Sequence, residues 1–91
     1  YIQIYQKNKM NICFLIGKII SEIEFKFILN SKNISIAIFE IELKNKSIVK
    51  IKAYNDLADY CYRELIKSDY ISIVGYLCSK GEVEIIEYEI L

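Results

Sequence analysis

Lys50, Lys52 and Tyr54 alternate along the run Ile48–Tyr54, and alternate residues of an extended strand point to the same side. At roughly 6.6–6.8 Å per alternate step, two ammonium groups and one aromatic ring fall within about 13 Å. Cations that track phosphates and rings that stack bases are the two elements that grip a single nucleic-acid strand. Each stacked base contributes about 1–3 kcal/mol. Lys18, Lys26, Lys44 and Lys46 lengthen that basic track if the fold carries them to the same side. The competing reading of the trio is a solvated outer face whose tyrosine covers the helix or pairs across strands.

Catalytic chemistry finds little to work with. The chain has no histidine, hence no side chain that ordinarily titrates near neutral pH and none of the commonest metal ligand. Cys13, Cys61 and Cys78 have no Cys-x-x-Cys spacing and read as apolar filling. An odd, widely spaced set also argues against a disulfide framework and for a reducing, cytoplasmic setting. Gly17, Gly75 and Gly81 form no phosphate-cradling motif. Glu82, Glu84, Glu87 and Glu89 share one strand, where charge discourages uncontrolled strand pairing. A binding module is expected, not an enzyme, with no metal and no small-molecule cofactor. Net charge is zero, so no global field draws the chain to a polyanion. Residues 1–52 nevertheless carry nine Lys against four Glu, whereas residues 53–91 carry two Lys and one Arg against eight acids.

The elements that must position these residues are mostly strands. Ninety-one residues make one domain with one modest core, and the apolar 54% is dominated by Ile, Tyr, Phe and Val, which favour strands. With no proline and three glycines, turns must come from Asn, Ser, Lys and Asp. The spacing predicts a first strand over Asn11–Leu29, interrupted at Gly17 and by Ser21-Glu22, with the bulge or bend at Gly17, and a turn over Asn30–Asn33. A second strand runs over Ile34–Leu43, its alternation slipping at Phe39 as if bulged. After the Lys44–Ser47 loop, a third strand turns Val49, Ile51 and Ala53 to the core and Ile48, Lys50, Lys52 and Tyr54 outward. A helix follows over Asn55–Lys67, with Asn55 as its N-cap and Leu57, Ala58, Cys61, Tyr62 and Leu65 as its buried stripe. Strands over Tyr70–Cys78 and Glu82–Ile90 flank the turn Ser79-Lys80-Gly81. Phe14, Phe25 and Phe39 read as core, and Tyr5, Tyr60, Tyr62, Tyr70, Tyr76 and Tyr88 as core-edge or interface residues. Three strands, a helix and two strands is the order of a five-stranded OB barrel, an all-β fold with one short helix between strands three and four. A strand-rich α+β sandwich is the structural alternative. Residues 10–91 would form the barrel and Tyr1–Lys9 a flexible or oligomer-forming extension. No apolar run approaches the roughly 18–20 residues that span a membrane, and the first residues lack signal-peptide anatomy.

Two stretches resemble the bacterial single-stranded DNA-binding protein family. Met10–Ile19 is similar to its opening strand of Met-Asn, apolar run, Gly, basic and apolar residue. Val49–Leu77 matches its strand ending in an aromatic, its Leu-Ala-acidic helix and its return through Lys-Gly-Asp into an alternating strand. Glu24-Phe25-Lys26-Phe27 sits where the family has Glu, apolar, Arg, Tyr. The resemblance implies an OB fold, cytoplasmic work in replication or repair, single-stranded DNA as partner with RNA left open, and a homodimer or homotetramer. By position it makes Tyr54 a base-stacking ring, Lys18 and Lys26 backbone contacts, and Phe27 an aromatic near the strand bend. It also puts Tyr76 on the ligand side.

The chain departs from that pattern in four places. It has no Trp, and the family's stacking tryptophan falls at Ile48. Tyr76 stands where a basic residue is usual, the last loop is reduced to Ser79-Lys80-Gly81, and no acidic tail follows Leu91. Two readings therefore stand: a single-stranded DNA-binding module, or a protein-assembly OB module without nucleic-acid binding.

Overall fold

The computed structural model describes residues 11–28 and 34–91; the expected extension over residues 1–9 and the turn over residues 30–33 lie outside them. The chain runs β1 (Ile12–Ile19), β2 (Glu24–Ile28), β3 (Ile34–Leu43), β4 (Ile48–Tyr54), helix α1 (Asn55–Glu64), β5 (Tyr70–Leu77), a 3₁₀ turn (Ser79–Gly81) and β6 (Val83–Ile90). The pairings β1–β5–β6–β4–β3 return to β1 and close a barrel. All are antiparallel except β4–β6, which meet in parallel at two rungs, Ile51↔Val83 and Lys52↔Glu84. No helix among the described residues is long and apolar enough to cross a membrane.

The expected first strand is one bent strand in two pieces, so five strands become six segments. β1 pairs with the far end of β3, and β2 with its near end. The bend falls over residues 20–23, where Ile20 N–H donates to Glu40 O (3.0 Å) and Glu40 N–H donates to Ser21 Oγ (2.8 Å). A hydroxyl thus supplies the acceptor that the bent backbone withdraws from the ladder. Gly17 is not the bend; it lies in regular pairing with Leu43 and Ile71, and a Cβ there would sit 2.8 Å from Glu42 O. Its role is close strand approach.

The slip expected at Phe39 does not occur. Pairing of β3 with β4 is unbroken from Ile36↔Tyr54 to Glu42↔Ile48, and Ser35, Ala37, Phe39 and Ile41 all point inward in one phase and are buried. The small residues misled because helix α1 lies against that end of β3. Ala37 and its partner Ala53 are wholly buried, as is Ala58 of the helix, so the bulky Ile34 and Ile38 fall on the outer side. The barrel's irregularity is instead in β6, where Val74↔Glu87 is followed by Gly75↔Ile85 and Ile86 is the extra residue. The core consists of Ile19, Phe39, Ile41, Ile51, Ile71, Ile73, Val83 and Ile85, closed at one end by Ala58, Cys61 and Leu65. Phe14, expected inside, is 62% exposed, because the inward phase of β1 is Cys13, Leu15, Gly17 and Ile19.

Helix α1 ends at Glu64, not Lys67. Asn55 does not cap it through its side chain. It takes φ 56°, a left-handed conformation that Asn tolerates, and its Oδ1 accepts from Ser35 N–H at 3.4 Å. Tyr62 lies outside the buried stripe and packs on Phe25 at 5.1 Å between centroids. After the helix, Ser68 at φ 88° turns the chain back, with Ser68 N–H donating to Ile19 O and Ile19 N–H to Asp69 O, both 2.8 Å.

Candidate nucleic-acid interface

Strand β4 carries the site. Val49, Ile51 and Ala53 face the core while Ile48, Lys50, Lys52 and Tyr54 face out, so the period-2 geometry of a strand places two ammonium groups and one phenol ring in a single column. Across the ladder, Tyr54 stands opposite Ile36, and Ile36 opposite Lys26. Lys26 and Tyr54 are therefore two strands apart, about 10 Å at usual strand spacing. Lys52 lies opposite Ile38, which lies opposite Glu24. Ile36 is buried between Tyr54 and Lys26, and Ile38 is the partly exposed apolar rung between the lysine column and β2. A shallow groove of about 340 Å³ opens here, lined in part by Lys26, Ile38, Lys50 and the acids Glu24 and Glu40.

The ammonium groups are not isolated. Lys52 Nζ contacts Glu82 Oε1 at 2.6 Å, and Lys50 Nζ lies 3.9 Å from Glu82 Oε2. Lys26 contacts Glu24 at 3.7 Å in a pair more than half exposed. The hydrogen bond between Lys52 and Glu82 holds the ammonium above its ordinary pKa and the carboxyl below its own. Glu82 was read from the sequence as edge charge. Nothing at a separation of thirty residues signals that the strand start of β6 faces Lys52.

The remaining candidates are distributed around this face. Lys18, outward on β1, stands opposite both Glu42 of β3 and Tyr70 of β5, and its Nζ lies 6.0 Å from the centre of the Tyr70 ring, within cation–π range. With Lys44 and Lys46 it lines a second groove of about 350 Å³ at the far end of β3. The structure thus gathers Lys18, Lys44 and Lys46, but beside Tyr70 and not Tyr54. Tyr76 stands opposite Glu84, which stands opposite Lys52, so it lies two strands from the lysine column. Phe27 lies opposite Ser35, on the other side of its strand from Lys26. It is 63% exposed and meets Phe25 edge-on at 5.5 Å. Ile48, where the resemblance puts a stacking tryptophan, is 57% exposed.

A separate apolar stripe lies on β1 and β5 of the same closed sheet. Phe14, Ile16 and Tyr70 are 62%, 50% and 56% exposed and lie on the outward side of β1 and β5. The three thiols are free: Cys61 is buried, Cys13 half-buried and Cys78 exposed.

No family model and no curated protein matches the chain in sequence. Solved structures do match it in shape. The SSB domain of a protein from Synechococcus sp. superposes with a TM-score of 0.79 at 14% identity, over 88% of this chain and 94% of that one. The wild-type single-stranded DNA binding protein from Thermus aquaticus superposes with a TM-score of 0.79 at 18% identity, over 89% of this chain and 40% of that one. A deletion mutant of the Thermus aquaticus protein gives 0.78 at 17% identity, with the same coverage. Among the described residues, the closed barrel with a helix between β4 and β5 therefore has the OB fold shared with these SSB structures.

Proposed function

We propose that this chain is a single-stranded DNA-binding module that holds the strand on the outer face of β2, β3 and β4. The observation that carries the reading is the column Lys50, Lys52, Tyr54 on β4, aligned through Ile36 with Lys26. Two phosphates placed on the lysines would leave a base within reach of the Tyr54 ring, and the partly exposed Ile38 offers apolar support to a second base. Lys18, Lys44 and Lys46 extend the path past the end of β3, and Tyr76 flanks it beyond β6. Phe27 would contact the strand only where it wraps around the edge of β2. The fold shared with SSB domains supports this reading, as does a site made of positioning and stacking groups, which points to binding and not catalysis. Work in replication or repair, within the cytoplasm, follows from the same reading.

Fluorescence anisotropy with a labelled oligo-dT of tens of bases tests it. Binding should be measurable at low salt and weaken with added salt by about 0.7 log unit per log unit for each phosphate neutralised. Lys50→Glu/Lys52→Glu should remove it. Absence of binding at low salt, or binding untouched by the double variant, refutes the reading; an oligo-U competitor reports the preference between DNA and RNA.

A second reading has its own observation. Phe14, Ile16 and Tyr70 form an exposed apolar stripe on β1 and β5, and such patches mark interaction surfaces. Self-association into a dimer or tetramer through this stripe leaves the Lys50, Lys52, Tyr54 column open but borders the Lys18 end of the path, because Ile16 and Tyr70 line the Lys18 groove. Light scattering on Phe14→Glu, which should yield a monomer, checks it.

A further inference from the structure

Among the described residues, Glu82 is the acid that lies within ion-pair distance of both lysines of the β4 column. Its two carboxylate oxygens are divided between them, Oε1 on Lys52 at 2.6 Å and Oε2 on Lys50 at 3.9 Å. That is the arrangement by which the two free oxygens of a phosphodiester would bridge neighbouring ammonium groups. The carboxylate is also better shielded than its partners: the Glu82 side chain is 19% exposed, against 29% for Lys52 and 46% for Lys50.

The main chain holds it there. Cys78 N–H donates to Glu82 O at 2.7 Å and Gly81 N–H donates to Cys78 O at 3.3 Å, closing a five-residue loop in which Lys80 takes φ 73°. Glu82 directly precedes Val83, where β6 makes its short parallel contact with β4. The short loop and the two-rung contact together aim the side chain across the seam between the strands.

We propose that Glu82 is a built-in occupant of the phosphate position, an internal competitor that a bound strand must displace. This rests on the reading of the β4 face as the strand-binding site. The ligand class at this point is a phosphodiester, or an equivalent oxyanion, taken in exchange for a carboxylate. Two consequences separate this role from ordinary loop stability. Removing the carboxylate tightens strand binding. It also steepens the salt dependence, because a displaced Glu82 repels the backbone and reclaims a counterion that the variant does not need.

Glu82→Gln keeps the shape and removes the charge, and Glu89→Gln removes the same charge at the far end of β6, opposite Ser72. Oligo-dT titrations over a salt series, on both variants and the unaltered protein, test the proposal, with thermal melts to verify folding. The expected result is about two- to fivefold tighter binding for Glu82→Gln at low salt, the range set by a partly exposed ion pair, with a steeper slope and little change for Glu89→Gln. Should Glu82→Gln unfold, Glu82→Asp keeps the charge but shortens the reach, and it should tighten binding in the same direction. If the unaltered protein binds through Lys50 and Lys52 while Glu82→Gln behaves as Glu89→Gln, or binds more weakly, the competitor role is overturned and the binding site stands. If no variant binds, both fall together.

Discussion

Gly75→Ala is the sharpest single test of how this barrel is held. Gly75 sits at the register shift between β5 and β6. A methyl group there would lie 2.5 Å from Glu84 O and 2.7 Å from a methyl of Val83, where ordinary contacts begin at 3.4 Å. The nearest obstacle is backbone, so relief requires β5 and β6 to part by close to an ångström, with no rotamer to absorb it. Overpacking of a core costs about 1–3 kcal/mol, and one or two ladder hydrogen bonds weakened by the parting add about 1 kcal/mol each. The sum is about 2–5 kcal/mol, a large part of the roughly 5–13 kcal/mol that holds a domain of this length. At about 4–8 °C per kcal/mol, the melting temperature should fall by at least about 8 °C. Gly17→Ala is the internal comparison. Its obstacles are Glu42 O at 2.8 Å and the mobile Ile41 Cδ1 at 3.2 Å, for which a cost of about 1–2 kcal/mol is expected. Thermal and urea unfolding followed by far-UV circular dichroism would measure both, with an unchanged urea slope confirming that the unfolded state is not the cause. A Gly75→Ala protein as stable as the parent, or a Gly17→Ala protein hurt more than it, would refute the reasoning from strand approach.

Four further outcomes are expected. Tyr54→Ala should weaken oligo-dT binding about 5- to 150-fold while Tyr54→Phe preserves it, since stacking needs the ring and not the hydroxyl; equal losses in the two variants would count against stacking. Ser68→Gly should raise the unfolding free energy by about 1 kcal/mol, because Ser68 holds φ 88° at a cost that glycine escapes; a denaturation midpoint that falls would contradict this. A thiol reagent should modify Cys78 first, Cys13 more slowly and Cys61 only on unfolding, in line with their exposure and with burial, which raises the Cys13 thiol and pushes Cys61 up to about 12. Stability should also fall as pH rises above 9. Burial raises Cys61 from 9.0 to about 12, and burial with the 2.6 Å hydrogen bond to Glu64 raises Tyr88 above its ordinary 10.0. Both groups then bind a proton more tightly folded than unfolded. Their stabilisation is complete below the unfolded values and is lost as pH climbs toward the folded ones; a urea midpoint constant from pH 8 to 11 would exclude this.

The order of strands and helix was legible because each element has its own period: alternation in Val49–Tyr54, then a stripe through Ala58, Cys61 and Leu65. The orientation of β4 was legible for the same reason, and with it the Lys50, Lys52, Tyr54 column. What failed were inferences that equate bulk with burial. Phe14 points outward, and Ser35 and Ala37 point inward where the helix leaves no room for larger residues. The bend was misplaced at Gly17 because a glycine forced by close approach looks, in sequence, like one forced by curvature. The partnership of Glu82 with Lys50 and Lys52 was illegible, since it depends on the parallel contact between β4 and β6, which no local pattern encodes.

That ring of pairings also sets the order in which the molecule can come into being. β1 lies along β5 from Ile12↔Tyr76 to Lys18↔Tyr70, so the first strand to leave a ribosome waits for about 60 further residues before its long partner exists, on the order of 3–12 s at usual rates of synthesis. Meanwhile β2, β3, β4 and the helix can assemble among themselves. The nascent chain should therefore carry a half-built hairpin platform and a β1 whose inward Cys13 and Leu15 stay uncovered until β5 emerges, the species on which a ribosome-associated chaperone would act.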